Sequence, residues 1–216
     1  MRFRVLGPVE ASGETGPIAL GGPKQRLVLA HLVLAANRIV TREALIDALW
    51  GEEPPGAARG TLQAYVSRLR SALGAERIEG RPPGYALRAE PEEIDALRFE
   101  MLVHEARRTL PLDPRAAADL LAQAEALWRG PALGDLSSEP SLQGEIARLD
   151  ELRSSASEDR IVAELELGRH TKLVSELEAL TSRHPLRERL WGHLMLALYR
   201  SGRQGEALSV FDRARE

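Results

Sequence analysis

Residues 24–37 read KQRLVLAHLVLAAN, and Leu27, Val28, Leu29, Ala30, Leu32, Val33 and Leu34 make this segment apolar on most faces of a helix. A helix of that kind is stable only at the centre of a domain, covered from several sides. Its neighbours in the chain are suited to cover it. Upstream, residues 3–6 and 17–20 read as short strands joined by a polar turn around residues 13–16. Gly22-Pro23 marks the helix start, because the fixed φ of proline suits the first helical position. Downstream, the helix is expected to stop near Asn37. Thr41 is then a good N-cap for a second helix, REALIDALW, with Leu45, Ile46, Leu49 and Trp50 on its buried side. Residues 51–56, with Pro54-Pro55, form a turn.

A third helix follows over residues 57–73. Leu62, Val66, Leu69 and Leu73 are spaced four, three and four residues apart, which makes one apolar stripe. Gly60, Thr61, Ala64, Ser67, Arg68 and Ser71 project from the far side, with Gln63 and Arg70 on one flank. Gly74 ends the helix. Residues 77–79 and 85–88 then read as two hairpin strands around Gly80-Arg81-Pro82-Pro83-Gly84. Small polar side chains give close approach to a nucleic-acid groove, and arginine gives donors for base edges and phosphates.

The composition shifts at residues 88–92, where Pro91 disfavours helix at the residue before it. Short β-like runs, glycine and proline give way to Ala/Leu/Glu/Arg helices. The charge shifts as well. The chain carries −3 overall, but residues 1–90 carry +3 and residues 91–216 carry −6. Within residues 54–88 there are six arginines against Glu76 and Glu79. A locally basic patch can steer nucleic acid to a protein that is acidic overall, although a few arginines more commonly mean a solvated face. Gly168 and Gly202 lie 34 residues apart, the period of tetratricopeptide repeats. Setting Gly202 in a turn puts Trp191, Leu194, Leu198, Ala207, Phe211 and Ala214 on packing positions and leaves Pro185 to close the preceding repeat. Trp128, Trp191 and Tyr199 read as core residues.

Several function classes are excluded or disfavoured. With no cysteine there is neither a disulfide frame nor a thiolate metal site. The five histidines, His31, His104, His170, His184 and His193, lack ligand spacing, so no metal and no cofactor is expected. Gly21-Gly22-Pro23-Lys24 lacks the spacing of a phosphate-binding loop and the hydroxyl residue after its lysine. No Ser, His and acid trio stands out, so the chain is not read as an enzyme. No apolar run approaches membrane-spanning length and the N-terminus lacks a signal-peptide core, which points to the cytoplasm.

Strands, three helices and a hairpin, in that order, are the elements of a winged helix. The series GGPKQR, LVLAANRIV, LIDALWGEEPP, TLQAYVSRLRSALG and RPPGYALR resembles the OmpR-type winged helix of the Streptomyces antibiotic regulatory protein (SARP) family. DALRFEMLVHEARRTL, LLAQAEALWRGPALGDL, LDELRSSASEDRIVAELELGRH and HPLRERLWGHLMLALYRSGRQGEAL are similar to the bacterial transcriptional activator domain of that family. The fold class expected is mostly α with a small β component. A winged helix-turn-helix domain at residues 1–90 precedes an all-α, tetratricopeptide-like domain at residues 91–216. The resemblance implies that more sequence follows residue 216 in the full-length protein.

The resemblance also implies a sequence-specific transcriptional activator. It would bind direct repeats in promoter DNA as a side-by-side homodimer. It would help to recruit RNA polymerase holoenzyme through the sigma factor and nearby subunits, for secondary-metabolite (antibiotic) gene expression. The residues expected to touch DNA are Arg59, Thr61, Gln63, Ala64, Ser67, Arg68 and Arg70 of the third helix, Arg81 of the wing, and Lys24. For Arg59 and Arg70, pairing with a surface carboxylate is an equal alternative. Tyr65, Arg26 and Arg42 are weaker candidates for phosphate. The alternative function is a protein-interaction or signal-sensing scaffold in which the winged helix is mainly a docking module.

Overall fold

The computed structural model describes residues 1–215. Helices dominate, with two small antiparallel sheets near the N-terminus. The chain divides into two compact units. One comprises Met1–Glu100 and Ala126–Glu151, the other Met101–Glu125 and Leu152–Glu216.

The first unit opens with three strands, β1 (Arg2–Arg4), β2 (Glu10–Gly13) and β3 (Gly16–Ile18), paired in the order β1-β2-β3. Sequence pattern foresees the first and third but not β2, which pairs on both sides: Phe3 opposes Ala11, and Ala11 opposes Ile18. Its residues, Glu-Ala-Ser-Gly, have weak strand preference, and pairing rather than propensity makes them a strand. Helix α1 (Pro23–Leu34) is the expected central element. Leu27, Val28, Leu29, Ala30, Leu32 and Val33 are all buried. The turn after it is closed by Asn37, which adopts a left-handed φ of 63° and donates from its side-chain amide to the Ala89 carbonyl at 2.7 Å.

A two-residue strand, β4 (Val40–Thr41), leads into α2 (Arg42–Trp50). Thr41 caps α2 as expected, its hydroxyl oxygen accepting the Ala44 N–H at 3.0 Å. Helix α3 (Ala58–Leu73) buries Ala58, Leu62, Val66, Leu69 and Leu73, which is the stripe read from sequence. The hairpin is β5 (Ile78–Arg81) and β6 (Gly84–Leu87), and the sheet order is β4-β6-β5. β5 runs two residues further than the sequence suggests and β6 starts one residue earlier, so only Pro82-Pro83 form the turn and Arg81 is the last residue of β5. A Cβ at Gly84 would lie 1.8 Å from the Val40 carbonyl oxygen, so only glycine lets β6 meet β4 there.

Helix α4 (Asp95–Thr109) begins in this first unit. Asp95 is 8% exposed and accepts the N–H groups of Val5 and Leu6 at 2.8 and 3.0 Å. Burial pushes its carboxyl above the ordinary value, against those two bonds and the nearby Arg129 guanidinium. Phe99 meets Trp128 edge-on at 5.5 Å between ring centroids. The Arg129 and Leu133 N–H groups bond the carbonyls of Leu6 and Val5.

The second unit holds α5 (Pro114–Glu125), the part of α6 (Gln143–Glu166) from Leu152 onward, α7 (His170–Arg183), α8 (Glu188–Arg200) and α9 (Gln204–Ala214). Its core gathers Ile161, Leu165, Leu173, Leu177, Leu194 and Leu198. Gly168 and Gly202 both take positive φ, 73° and 78°, in the turns before α7 and α9, which is the 34-residue repeat seen structurally. The Trp191 indole N–H donates to the Pro185 carbonyl at 2.9 Å. Glu158, 5% exposed, is held by Arg187 at 2.6 Å and Arg189 at 3.3 Å. The packing pattern is correct for Leu194 and Leu198 but not for Phe211 and Ala214, which are exposed, nor for Tyr199, which is 63% exposed rather than core. α9 packs on α8 through Val210, and that leaves Phe211 and Tyr199 on the open side of the pair.

Candidate nucleic-acid interface

The buried stripe fixes the rotation of α3, because five apolar side chains on one face commit the other face to solvent. Arg59, Gly60, Gln63, Ala64, Ser67, Arg68 and Ser71 are exposed there. The Arg68 side chain makes no hydrogen bond or ion pair among the described residues, and neither does the Gln63 side chain. Ala64 and Gly60 beside them leave room for close approach. Among the described residues Arg59 meets only Glu43, at 4.0 Å, with 82% of its side chain exposed, so the contact is loose. The N-cap position, Ala57, offers no side-chain acceptor, so the first-turn N–H groups of α3 lack a side-chain cap.

Other expected residues are held by the protein itself. Thr61 is half-buried and its hydroxyl donates to the Ala57 carbonyl at 3.1 Å. Arg70 donates from Nε to the Ile78 carbonyl at 2.7 Å, and its guanidinium lies 5.9 Å from the centre of the Tyr85 ring. Arg42 approaches the same ring at 5.5 Å. Lys24 donates to the Leu49 carbonyl at 3.1 Å and sits 4.8 Å from the Trp50 ring, a cation at the C-terminal end of α2 where the helix dipole favours it. Arg26 bonds Asp135 at 2.7 Å. Tyr65 is half-buried.

Arg81 ends β5 and donates from Nε to Glu79 at 2.6 Å. The other carboxylate oxygen of Glu79 takes Arg88 Nε at 2.5 Å. Arg77 makes two bonds to Glu93, at 2.7 and 3.0 Å. Burial pushes the Glu93 carboxyl up, but bonds from Arg77, the Glu90 N–H and the terminal ammonium outweigh it and hold it at about 2. The structure thus collects Arg59, Gln63, Ala64, Ser67 and Arg68 on one open face and sets Arg81 on the hairpin. Thr61, Arg70 and Lys24 are turned to scaffold contacts. Sequence reading passed over Glu79 and Arg88. The signal was the period-two run Arg77, Glu79, Arg81, which places three charges on one strand face.

Among the described residues no helix is long and apolar enough to cross a membrane, and no group of three or more His, Asp or Glu is placed to hold a metal ion.

Comparison with known proteins matches residues 16–87 to the family "Transcriptional regulatory protein, C terminal" and residues 94–216 to the "Bacterial transcriptional activator domain" family. The chain is 43% identical over 212 residues to regulatory protein AfsR of Streptomyces griseus, covering 98% of this chain and 22% of the relative. It is 38% identical over 231 residues to regulatory protein DnrI of Streptomyces peucetius, covering 100% of this chain and 84% of DnrI. The solved structure of Mycobacterium tuberculosis EmbR in complex with a low-affinity phosphopeptide superposes with a TM-score of 0.91 at 38% identity, covering 99% of this chain and 58% of that one. The chain therefore spans about a fifth of the length of the AfsR regulators it matches.

Proposed function

The chain belongs to the Streptomyces antibiotic regulatory protein (SARP) family, with its winged helix and bacterial transcriptional activator domain, and from that premise we propose that it is a sequence-specific DNA-binding transcriptional activator. Residues 1–90 carry the DNA reader and residues 91–216 the helical activator domain. The observation that carries the reading is the open face of α3, where the side chains of Arg68 and Gln63 are exposed and have no hydrogen-bond or ion-pair partner among the described residues. A helix of this width fits the major groove, and arginine and glutamine are the side chains suited to guanine and adenine edges. Phosphate contacts from the hairpin set the register.

Two copies bind direct repeats in a promoter side by side, about one helical turn apart. The helical domain supports that pairing and the recruitment of RNA polymerase holoenzyme through the sigma factor and nearby subunits. The output is secondary-metabolite (antibiotic) gene expression, and the site of action is the cytoplasm.

The test is binding of the full chain to a promoter duplex and to a random duplex across a salt series. Specific binding tighter than random, with affinity falling by orders of magnitude over moderate salt, supports the reading. Equal affinity for both duplexes removes the sequence-specific part of it.

A second reading makes residues 91–216 a protein-interaction or signal-sensing scaffold, with the winged helix as a docking module. The observation that favours it is the groove of about 590 Å³ between α8 and α9, where Met195, Leu196, Tyr199, Leu208 and Phe211 are gathered at the surface. Loss of the transcriptional response on substituting these residues, with DNA binding unchanged, favours this reading for the helical part.

A further inference from the structure

The hairpin carries a charged row whose centre is acidic. Arg77, Glu79 and Arg81 point to one face of the β5 region, because successive strand side chains alternate. The register sets Glu79 opposite Ala86 and Arg81 opposite Gly84. The Arg88 N–H bonds the Arg77 carbonyl at 2.7 Å, which brings Arg88 onto the same face. Alanine and glycine opposite leave space over the strand, so one carboxylate reaches both ways: Arg81 on one oxygen at 2.6 Å, Arg88 on the other at 2.5 Å. The Arg88 bond is the largest effect on the Glu79 carboxyl and outweighs burial; with the Arg81 bond added, the carboxyl is held below its usual range. Glu79 is therefore ionised wherever DNA binding is measured, and it occupies both arginines through Nε.

We propose that Glu79 is an internal stand-in for a DNA phosphate, pairing with Arg81 and Arg88 in the free protein so that each ion pair must loosen before the arginine offers its full charge to the DNA backbone. This rests on the DNA-binding reading above and adds a specificity device to it. A carboxylate with both oxygens engaged by arginine presents the same acceptor geometry as two phosphate oxygens. The cost of displacing it is the same for every DNA sequence. It therefore weakens the phosphate-driven, non-specific part of affinity and leaves the base contacts of α3 to decide where the protein stays. A carboxylate that only positioned Arg81 for DNA would have the opposite effect on affinity.

The experiment uses the full chain and a random-sequence duplex, with affinity followed by fluorescence anisotropy over a salt series. Glu79→Gln and Glu79→Thr remove the charge in two different ways, so a folding defect in one leaves the other to decide. Both are expected to bind the random duplex about three- to tenfold more tightly at low salt, the size expected for releasing two exposed ion pairs. The slope of log affinity against log salt should steepen by about one to two, as one or both arginines displace counterions. Adding Arg81→Gln and Arg88→Gln to Glu79→Gln should abolish the gain. Folded variants that bind no more tightly than wild type overturn the proposal. A wild-type chain that fails to bind any duplex at low salt overturns the DNA-binding reading itself, and this proposal with it.

Discussion

Arg70 Nε donates to the carbonyl of Ile78 at 2.7 Å, so the outer turns of α3 and the first strand of the hairpin are joined by a single side chain. The same guanidinium stands against the Tyr85 ring on the opposite strand. α3 and the wing therefore hold their relative position through a link that is independent of the apolar core beneath them. Arg70→Gln should cost about 1–2 kcal/mol of stability, the scale of a charge-assisted bond to backbone. Its sharper sign is local: amide hydrogen exchange in β5 and β6 should speed up while α1 stays protected. Unchanged exchange in the hairpin would show that the core alone orients it.

Arg68 has no such duty. Arg68→Ala should leave the unfolding free energy from urea titration within about 0.5 kcal/mol of wild type, as expected for an exposed side chain without partners among the described residues. Its effect should fall on DNA. The loss should be about 1–3 kcal/mol on a specific site, with relaxed preference at one base position. A uniform loss on all sequences would assign Arg68 to phosphate instead.

Gly84→Ala tests the close approach of β6 to β4. A methyl group there would sit 1.8 Å from the Val40 oxygen and 2.7 Å from the Thr41 Cα, both backbone atoms that cannot swing aside. The strands must separate, and the expected cost is about 3 kcal/mol. Calorimetry or urea unfolding measures it, and a neutral result would mean that β4 pairs only loosely.

Glu93 makes the first unit sensitive to acid. Its carboxyl sits at about 2 in the folded chain against an ordinary 4.5, so the folded state binds its proton less readily. The stabilisation is complete above about pH 4.5 and is lost as pH falls towards 2. Screened by solvent, it amounts to about 1–2 kcal/mol. Glu93→Gln should remove this part of the acid sensitivity, and stability curves for the two proteins should converge at low pH. Parallel curves across that window would show that other carboxylates carry the acid response.

The elements that were legible in the sequence are those whose signal is local. The apolar run of α1, the stripe of α3 and the Thr41 cap announce themselves within a few turns of chain, and the glycines at 168 and 202 through a fixed 34-residue spacing. What was not legible depends on a distant partner. β2 is a strand because Phe3 and Ile18 flank Ala11. β4 is two residues long and owes its existence to Gly84 and Tyr85. In the candidate interface the exposed face followed from helical periodicity. The restraint on Arg70 needed Ile78 at its side, whereas the restraint on Arg81 comes from a carboxylate two residues away and was within reach of the period-two charge pattern. Phe211 and Tyr199 were misread because helical spacing marks a face as apolar without saying what lies against it.

Asp95 gives the boundary between reader and helical segment a different meaning. Its carboxylate closes the N–H groups of Val5 and Leu6, while Phe3 bridges to Ile94 and the Val9 N–H reaches Asp135. The first strands are thus stitched to residues well beyond the wing. A recombination event that cut the chain at residue 90 and joined the reader to another partner would carry away those acceptors and leave three buried donors bare. Residues 1–90 are therefore not a self-sufficient cassette: three of their backbone N–H groups are closed only by side chains that lie beyond residue 90.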